Sequence, residues 1–380
     1  MNIVQTSITY PPAIGGLDRY VKETSEGLVH RGHQVTVLTT DLEQPFSRQR
    51  LTIPRTHLDE ANVLRLATWR IPRIGFPVMI GVKSVIARIS PEIIHAHCVL
   101  HSSALLAWQA ARRRNIPFVL NTIMSPRSGF FWKFWYEGQA RRMMNEARCV
   151  IAISNFEREI LVNAGLSRSR VTILPPAVDL EPFKAPLPSI LPRFGLENKR
   201  VIVSLGRLAY GKRVDRLIHA MSPIVQKHPD ARLLIIGPDY GDESRLKQIA
   251  HSGNLSRFVT FAGPLPTKDV ASALQSSAAF VMTTDFELFG ITLIEAMASG
   301  TAVIAPDVAS VPDVVRKEET GLLYAYDSVD ELGHQIERVL SDDTLRHRLI
   351  ANGREEAGTR FDFQRNLDAL EEIYRNARRS

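Results

Sequence analysis

Short β-branched runs alternate with longer helical patterns along the whole chain, and that alternation admits little besides parallel sheets covered by helices on both faces. In the front half, strands are expected near Ile3 to Thr6, Val35 to Thr39, Val63 to Leu66, Ile93 to His97, Phe118 to Leu120, Val150 to Ile153 and Val171 to Leu174. Helical patterns such as Asp18 to His30 and Ser103 to Arg113 lie between most of them. The rhythm breaks at Pro175 to Lys199, a proline-rich stretch without a steady period that reads as a linker. It then restarts with Val201 to Gly206, Leu233 to Gly237, Val259 to Gly263, Ala279 to Thr283 and Ala302 to Pro306. The class is α/β with two doubly wound parallel sheets: residues 1–180, a linker at 181–199, residues 200–360, and a helix over 361–380 crossing back to the first domain. Open sheets of this kind bind ligands outside the carboxyl ends of their strands, so the chemistry is expected in strand-to-helix loops at a cleft between the domains.

Composition narrows the classes further. With 380 residues, 44% hydrophobic and 23% charged, the chain is neither disordered nor a small stapled scaffold. Its two cysteines, Cys98 and Cys149, have no C-x-x-C spacing, which speaks against zinc ribbons and disulfide frameworks and for a reducing cytoplasm. The start lacks the basic and apolar segments of a signal peptide, and no apolar run reaches the ~18 residues of a membrane span, so a cytoplasmic protein is expected. Charge is uneven: Met1 to Leu180 holds 22 Lys and Arg against 13 Asp and Glu, the remainder 25 against 27. A basic front half suits anionic lipid, nucleic acid or a phosphorylated substrate, although an arginine-rich proteome explains part of it.

The strongest motif is DFELFGITLIEAMASGTAVIAP, Asp285 to Pro306. A loop holding Glu287 leads into a helix that opens near Gly290 and Ile291 and carries Glu295 about one turn inside. Free amides at a helix start attract anions. A carboxylate one turn in can accept two hydrogen bonds from a vicinal diol such as ribose, and Glu287 can reach hydroxyls attached beyond the phosphate. A solvent-exposed glutamate pair favoured by the helix dipole is the bland alternative. In SLGRLAYGKRVDRLIHAM, Ser204 to Met221, a glycine turn carries Arg207 and then Lys212. A forked guanidinium and a mobile ammonium at a strand mouth suit a diphosphate whose charge grows as a bond breaks. Alone they read as solvated loop cations; beside the acidic motif in one sheet they read as a site.

Two further signals are weaker. Gly15 and Gly16 follow the first strand and let backbone approach a ligand closely, yet they do not spell G-x-G-x-x-G. His95 and His97 share one side of their strand, with His97 at the carboxyl end facing the cleft. An H-x-H pair invites a metal, but no third ligand cluster and no H-E-x-x-H accompany it, so no metal is expected.

Taken in order, the GG loop at Gly15 and Gly16, IIHAH ending at His97, VIAIS at Val150 to Ser154, LPPAVDLEPF, GRLAYGK and ELFGITLIEAMASGTAVIA resemble glycosyltransferase family 4, the retaining nucleotide-sugar transferases of GT-B-type fold. The resemblance covers nearly the whole chain. It implies two Rossmann-like domains facing across a cleft, the acceptor side in residues 1–180 and the nucleotide-sugar side in 200–360. It also implies no cofactor or metal beyond the nucleotide-sugar co-substrate. By position, Arg207 and Lys212 are implied to hold the diphosphate, Glu295 the ribose and Glu287 the donor sugar. The amides of Phe289, Gly290 and Ile291 are implied to meet sugar hydroxyls and phosphate, Gly15 and Gly16 the diphosphate, and His97 the transferred sugar. Two departures put donor identity in doubt: Leu288 where many relatives read E-G-F-G, and Arg213 where many read K-G.

The expected function is transfer of a hexose, of mannose or glucose type, from a UDP- or GDP-sugar to a hydroxyl acceptor, a lipid-linked or polysaccharide glycan. A GT-B-type sugar-nucleotide epimerase and a non-catalytic membrane-docked scaffold are the alternatives. Between Phe130 and Cys149, clustered aromatics precede Arg141, Arg142 and Arg148; the mixture suits peripheral contact with an anionic membrane or a packed helix lining the acceptor pocket. No nucleic-acid recognition motif is present, so a nucleic-acid partner is not expected.

Overall fold

The computed structural model describes residues 1–13, 15–43, 49–51, 60–71, 77–123 and 137–379. They divide into two units, Met1–Val178 with Phe363–Ser380, and Asp179–Asp362.

In the first unit the parallel strands are β1 (Asn2–Thr6), β2 (Gln34–Thr40) and β3 (Asn62–Leu66); a short antiparallel pair, β4 (Thr68–Arg70) and β5 (Pro77–Met79), follows. Next come β6 (Ile93–His97), β7 (Phe118–Asn121), β8 (Cys149–Ala152) and β9 (Val171–Ile173). The sheet order is β3-β2-β1-β6-β7-β8-β9. Strand direction of travel therefore reverses between β1 and β6, the switch point of a doubly wound sheet. Both faces are covered, which is why these strands read as nearly unbroken apolar runs. Val4, Ile94 and Leu120 enter one core with Ala107, Trp108 and Leu161; Ile3, Ile93 and Val119 enter the other with Tyr20 and Leu28.

The terminal helix Phe363–Arg379 supplies Leu367, Leu370, Tyr374 and Ala377 to that second core. Full burial of each large side chain stabilises by roughly 2 to 3 kcal/mol. Gly27 permits the contact, since a Cβ there would stand 2.7 Å from Leu367 Cδ1. Polar clamps join the same helix to the turn before β2: Arg31 with Asp368 at 2.5 Å and His33 with Glu371 at 2.7 Å.

The second unit contains β10 (Arg200–Leu205), β11 (Ala231–Ile236), β12 (Val259–Gly263), β13 (Ala279–Val281), β14 (Ala302–Pro306) and β15 (Leu322–Tyr324), in the order β12-β11-β10-β13-β14-β15. Every pairing is parallel, and the switch point falls between β10 and β13. The stretch expected to be a linker is instead built onto this unit. It forms a helix, Glu181–Lys184, and a 3-10 turn, Leu191–Phe194, with Phe183 buried. The N–H groups of Leu187 and Ile190 donate to Gln275 Oε1 (3.0 Å) and Ser272 Oγ (2.9 Å), while Gln275 Nε2 donates to the carbonyls of Phe183 and Ala185. Two side chains on the helix Thr267–Gln275 thus satisfy backbone that has no strand or helix partner of its own. No described helix is long and apolar enough to cross a membrane. The aromatic run Phe130 to Tyr136 lies outside the described residues.

Candidate active site

The site grows from strand ends of the second sheet. β10 and β11 run out into Gly206 (φ 148°) and Gly237 (φ 146°), where only glycine is unstrained. Their backbones approach so closely that a Cβ on Gly237 would lie 1.9 Å from the Gly206 carbonyl oxygen. Beyond them the loops are sewn together: Leu208 N–H donates to Pro238 O and Tyr240 N–H to Leu208 O, both at 2.9 Å. Arg207 stands in this seam. Its guanidinium lies over the Tyr240 ring, 5.2 Å from the centroid, is exposed, and has no ion pair among the described residues.

Lys212 ends a 3-10 turn, Tyr210–Lys212, that is stitched to the loop after β13. Thr283 Oγ1 donates to the Lys212 carbonyl (2.8 Å) and Asp285 N–H to the Gly211 carbonyl (3.2 Å). The Lys212 ammonium then meets Glu287 Oε2 at 2.8 Å. So the two strongest motifs, one after β10 and one after β13, are joined by an ion pair across the switch point.

Glu287 is held from several sides. Its Oε1 accepts the N–H of Leu288 at 3.1 Å, and its own carbonyl accepts Ser310 Oγ at 2.8 Å. Burial alone would push this carboxyl up, but the Lys212 ammonium and the local N–H groups outweigh it and hold it below the usual range. Next, Gly290 takes φ 85° and caps the helix Ile291–Ser299. A Cβ there would stand 2.7 Å from Leu293 Cδ1, so both dihedral and space call for glycine. Leu293 N–H donates to the Gly290 carbonyl (2.9 Å), while the amides of Ile291 and Thr292 have no intrahelical acceptor and present partial positive charge. Glu295 lies one turn in and is 5% exposed; Phe289 is buried edge-to-face against Phe361 at 5.9 Å. Arg207, Lys212, Glu287, Phe289, Gly290, Ile291 and Glu295 therefore all belong to the β10 and β13 connections.

Arg213, one of the two departures from the family pattern, adopts φ 50°, a conformation that favours glycine. Asp215 accepts from its guanidinium at 3.3 Å, and the Tyr210 ring lies under it at 5.4 Å. These contacts offset part of the ~1 to 2 kcal/mol the left-handed backbone costs.

The first unit carries the remaining expected residues. Gly15 and Gly16 open the helix Gly16–His30, with Gly15 extended (φ −172°) and Gly16 exposed. A Cβ on Gly15 would meet Asp18 Oδ2 at 2.8 Å, and Thr9 Oγ1 donates to the other oxygen of this buried carboxylate. Asp18 ties the loop down, a role its place in the first helical turn foreshadows.

His97 departs from expectation. It is fully buried, its Nε2 3.0 Å from Gln5 Oε1 and its ring 4.2 Å from that of His95 and 5.8 Å from that of Tyr20. It points into the layer under the first and last helices. His95 Nδ1 meets Tyr374 Oη there at 2.8 Å. Burial pushes His97 well below its ordinary value and His95 down to about 3.

Glu157 was not anticipated. Its N–H donates to the N-cap Ser154 Oγ (3.1 Å), while its carboxylate reaches past the cap to accept from Ile153 N–H (2.8 Å) and Thr122 Oγ1 (2.7 Å), and so pins the carboxyl ends of β7 and β8. The spacing S-x-x-E marks it in the sequence.

Residues 14–182 match the model described as Glycosyltransferase Family 4, and residues 190–356 that described as Glycosyl transferases group 1. The phosphatidyl-myo-inositol mannosyltransferase of Mycobacterium tuberculosis is 29% identical over 371 residues, covering 95% of this chain and 93% of that protein. Glycogen synthase of the same organism is 25% identical over 405 residues, covering 100% and 95%. Among solved structures, Anabaena Alr3699/HepE in complex with UDP superimposes with a TM-score of 0.82 at 20% identity, covering 98% of this chain and 99% of that one.

Proposed function

This chain belongs to glycosyltransferase family 4, with the two Rossmann-like domains of the GT-B fold, and we propose that it moves a hexose from a UDP- or GDP-sugar to a hydroxyl of a lipid-linked or polysaccharide glycan, with retention at the anomeric carbon. The observation that carries this reading is the meeting of the cationic and acidic motifs at the β10/β13 switch point, with the Arg207 guanidinium left unpaired among the described residues. UDP in the HepE complex supports a uridine-diphosphate donor, and the mannosyltransferase name of the mycobacterial relative supports a mannosyl group as the one transferred.

In this reading Arg207 grips the diphosphate by its fork and Lys212 adds a point charge. The amides opening the helix at Ile291 meet a phosphate, Glu295 accepts from the ribose diol, and Glu287, fixed by its backbone contacts, accepts from sugar hydroxyls. The sugar C1–O bond breaks with its electron pair leaving on the diphosphate, where the two cations stabilise the growing charge. The acceptor oxygen bonds C1 on the same face, and its proton passes to the departing phosphate oxygen. Atoms and charge balance without a protein nucleophile. His97, sealed in the first unit, takes no part in contact with the sugar. The positive balance of the front half suits an acceptor bearing phosphate.

The test is incubation of purified protein with UDP-glucose or GDP-mannose, alone and with phosphorylated lipid and glucan acceptors, followed by NMR of the products. An α-linked product from one donor is expected, with no epimer from donor alone. Glu295→Ala should raise the donor KM about ten- to a hundredfold, the worth of charge-assisted hydrogen bonds. An epimer formed without acceptor, or an unchanged KM in that variant, would overturn the reading.

A further inference from the structure

Five cations, Arg207, Lys212, Arg213, Arg216 and Arg245, stand on the loops and helix starts after β10 and β11, and three of them are paired with carboxylates. Lys212 is paired with Glu287, Arg213 with Asp215, and Arg245 with Asp242 at 2.6 Å and with Asp215 at 3.5 Å. Arg207 and Arg216 have an aromatic ring in place of a carboxylate, Tyr240 and Tyr326, but Arg216 also donates to the Tyr326 carbonyl, so Arg207 is the one of the five whose fork meets no acceptor among the described residues. That difference has a chemical consequence. A carboxylate would occupy the N–H fork that a diphosphate needs, whereas a ring takes the flat face of the guanidinium and leaves the fork free.

Tyr240 is also fixed more firmly than a 40% exposed side chain on a loop usually is. Its N–H is bonded to Leu208 O, one residue beyond Arg207. Ahead of it, Asp239 Oδ1 accepts three successive N–H groups, from Gly241 (2.8 Å), Asp242 (3.0 Å) and Glu243 (3.1 Å), which locks the turn into the following helix. The ring and the guanidinium are thus carried on two backbones bonded to each other, and Gly206 and Gly237 set the spacing of those backbones. An unsupported arginine loses much of its rotamer freedom on gripping a ligand; one already stacked loses less.

We propose that Tyr240 is a positioning residue for Arg207, pre-orienting the guanidinium for the donor's diphosphate. This rests on the reading of Arg207 given above. Tyr240 itself touches the arginine and acts on the nucleotide only through it.

Calorimetric titration of the full chain with UDP and UMP, and with GDP and GMP, tests this. The wild type should prefer the diphosphate. Arg207→Ala should lose that preference, and Tyr240→Ala should lower it about fivefold with little change in monophosphate affinity, as expected for removal of a cation–π contact. Tyr240→Phe should restore it, and Tyr240→Ala should have no further effect in the Arg207→Ala background. The proposal is overturned, with the function reading intact, if Arg207→Ala loses the preference while Tyr240→Ala keeps it. It is equally overturned if Tyr240→Ala weakens diphosphate and monophosphate alike, or still weakens binding without Arg207. Failure of the wild type to bind any of the four nucleotides would overturn both readings together.

Discussion

Lys212→Ala should lower the rate of sugar transfer about a hundredfold, with most of the loss in kcat. The ammonium lies 2.8 Å from Glu287 and belongs to a turn hydrogen-bonded to the loop after β13, so removing it deletes one of two cations placed to meet the leaving diphosphate. Loss of one preorganised group of this kind costs about 3 kcal/mol in the transition state, which is a factor of about a hundred. A second cost falls on the fold. Glu287 keeps its backbone donors but loses its counter-ion in a partly buried place, which should destabilise the second unit by ~1 to 2 kcal/mol after allowance for solvent screening. The two effects separate in a double variant. Lys212→Ala with Glu287→Gln should recover the melting temperature and not the turnover. Transfer by Lys212→Ala at the parent's rate would remove leaving-group stabilisation from the account.

Lowering the pH from 7 to 5 should strip several kcal/mol from the first unit. His95, His97 and His101 are held neutral there because burial opposes their charge; His95 is pushed down to about 3 and His101 to about 4. In the unfolded chain each titrates near 6.5. Between those values the unfolded state binds more protons, so stability is full above pH 6.5 and is lost as pH falls below it. At pH 5 His95 and His101 each contribute a loss of about 2 kcal/mol, and His97 adds to it in the same direction. All four tryptophans, Trp69, Trp108, Trp132 and Trp135, lie in the front half, so tryptophan fluorescence during urea unfolding reports on this unit. His95→Gln, which keeps a partner for Tyr374, should shrink the pH effect by about 2 kcal/mol or more at pH 5. Equal fluorescence-detected stability at pH 7 and pH 5 would show that the buried pair does not behave as described.

Much of this architecture can be read before any coordinates, and the reasons are local. Strands buried on both faces announce themselves as apolar runs, and Gly206, Gly237 and Gly263 close three of them in the second sheet. What escapes local reading depends on remote partners. β15 is three residues long, too short for a period to show. The stretch 181–199 is loose in sequence and packed in space because Gln275 and Ser272, more than eighty residues on, satisfy its backbone. A period of two puts His95 and His97 on one side of a strand but cannot say what covers that side; Tyr374, from the far end of the chain, does. Likewise each motif is visible alone, while the Lys212–Glu287 pair and the Tyr240 support of Arg207 come from loops that meet only once the sheet order is set.

The most direct measurement is a crystal structure of the protein soaked with UDP or GDP. The diphosphate should lie within hydrogen-bond distance of the Arg207 guanidinium and the Lys212 ammonium, with the ribose diol on Glu295. A nucleotide seated anywhere else, with those three side chains free of it, would contradict the account.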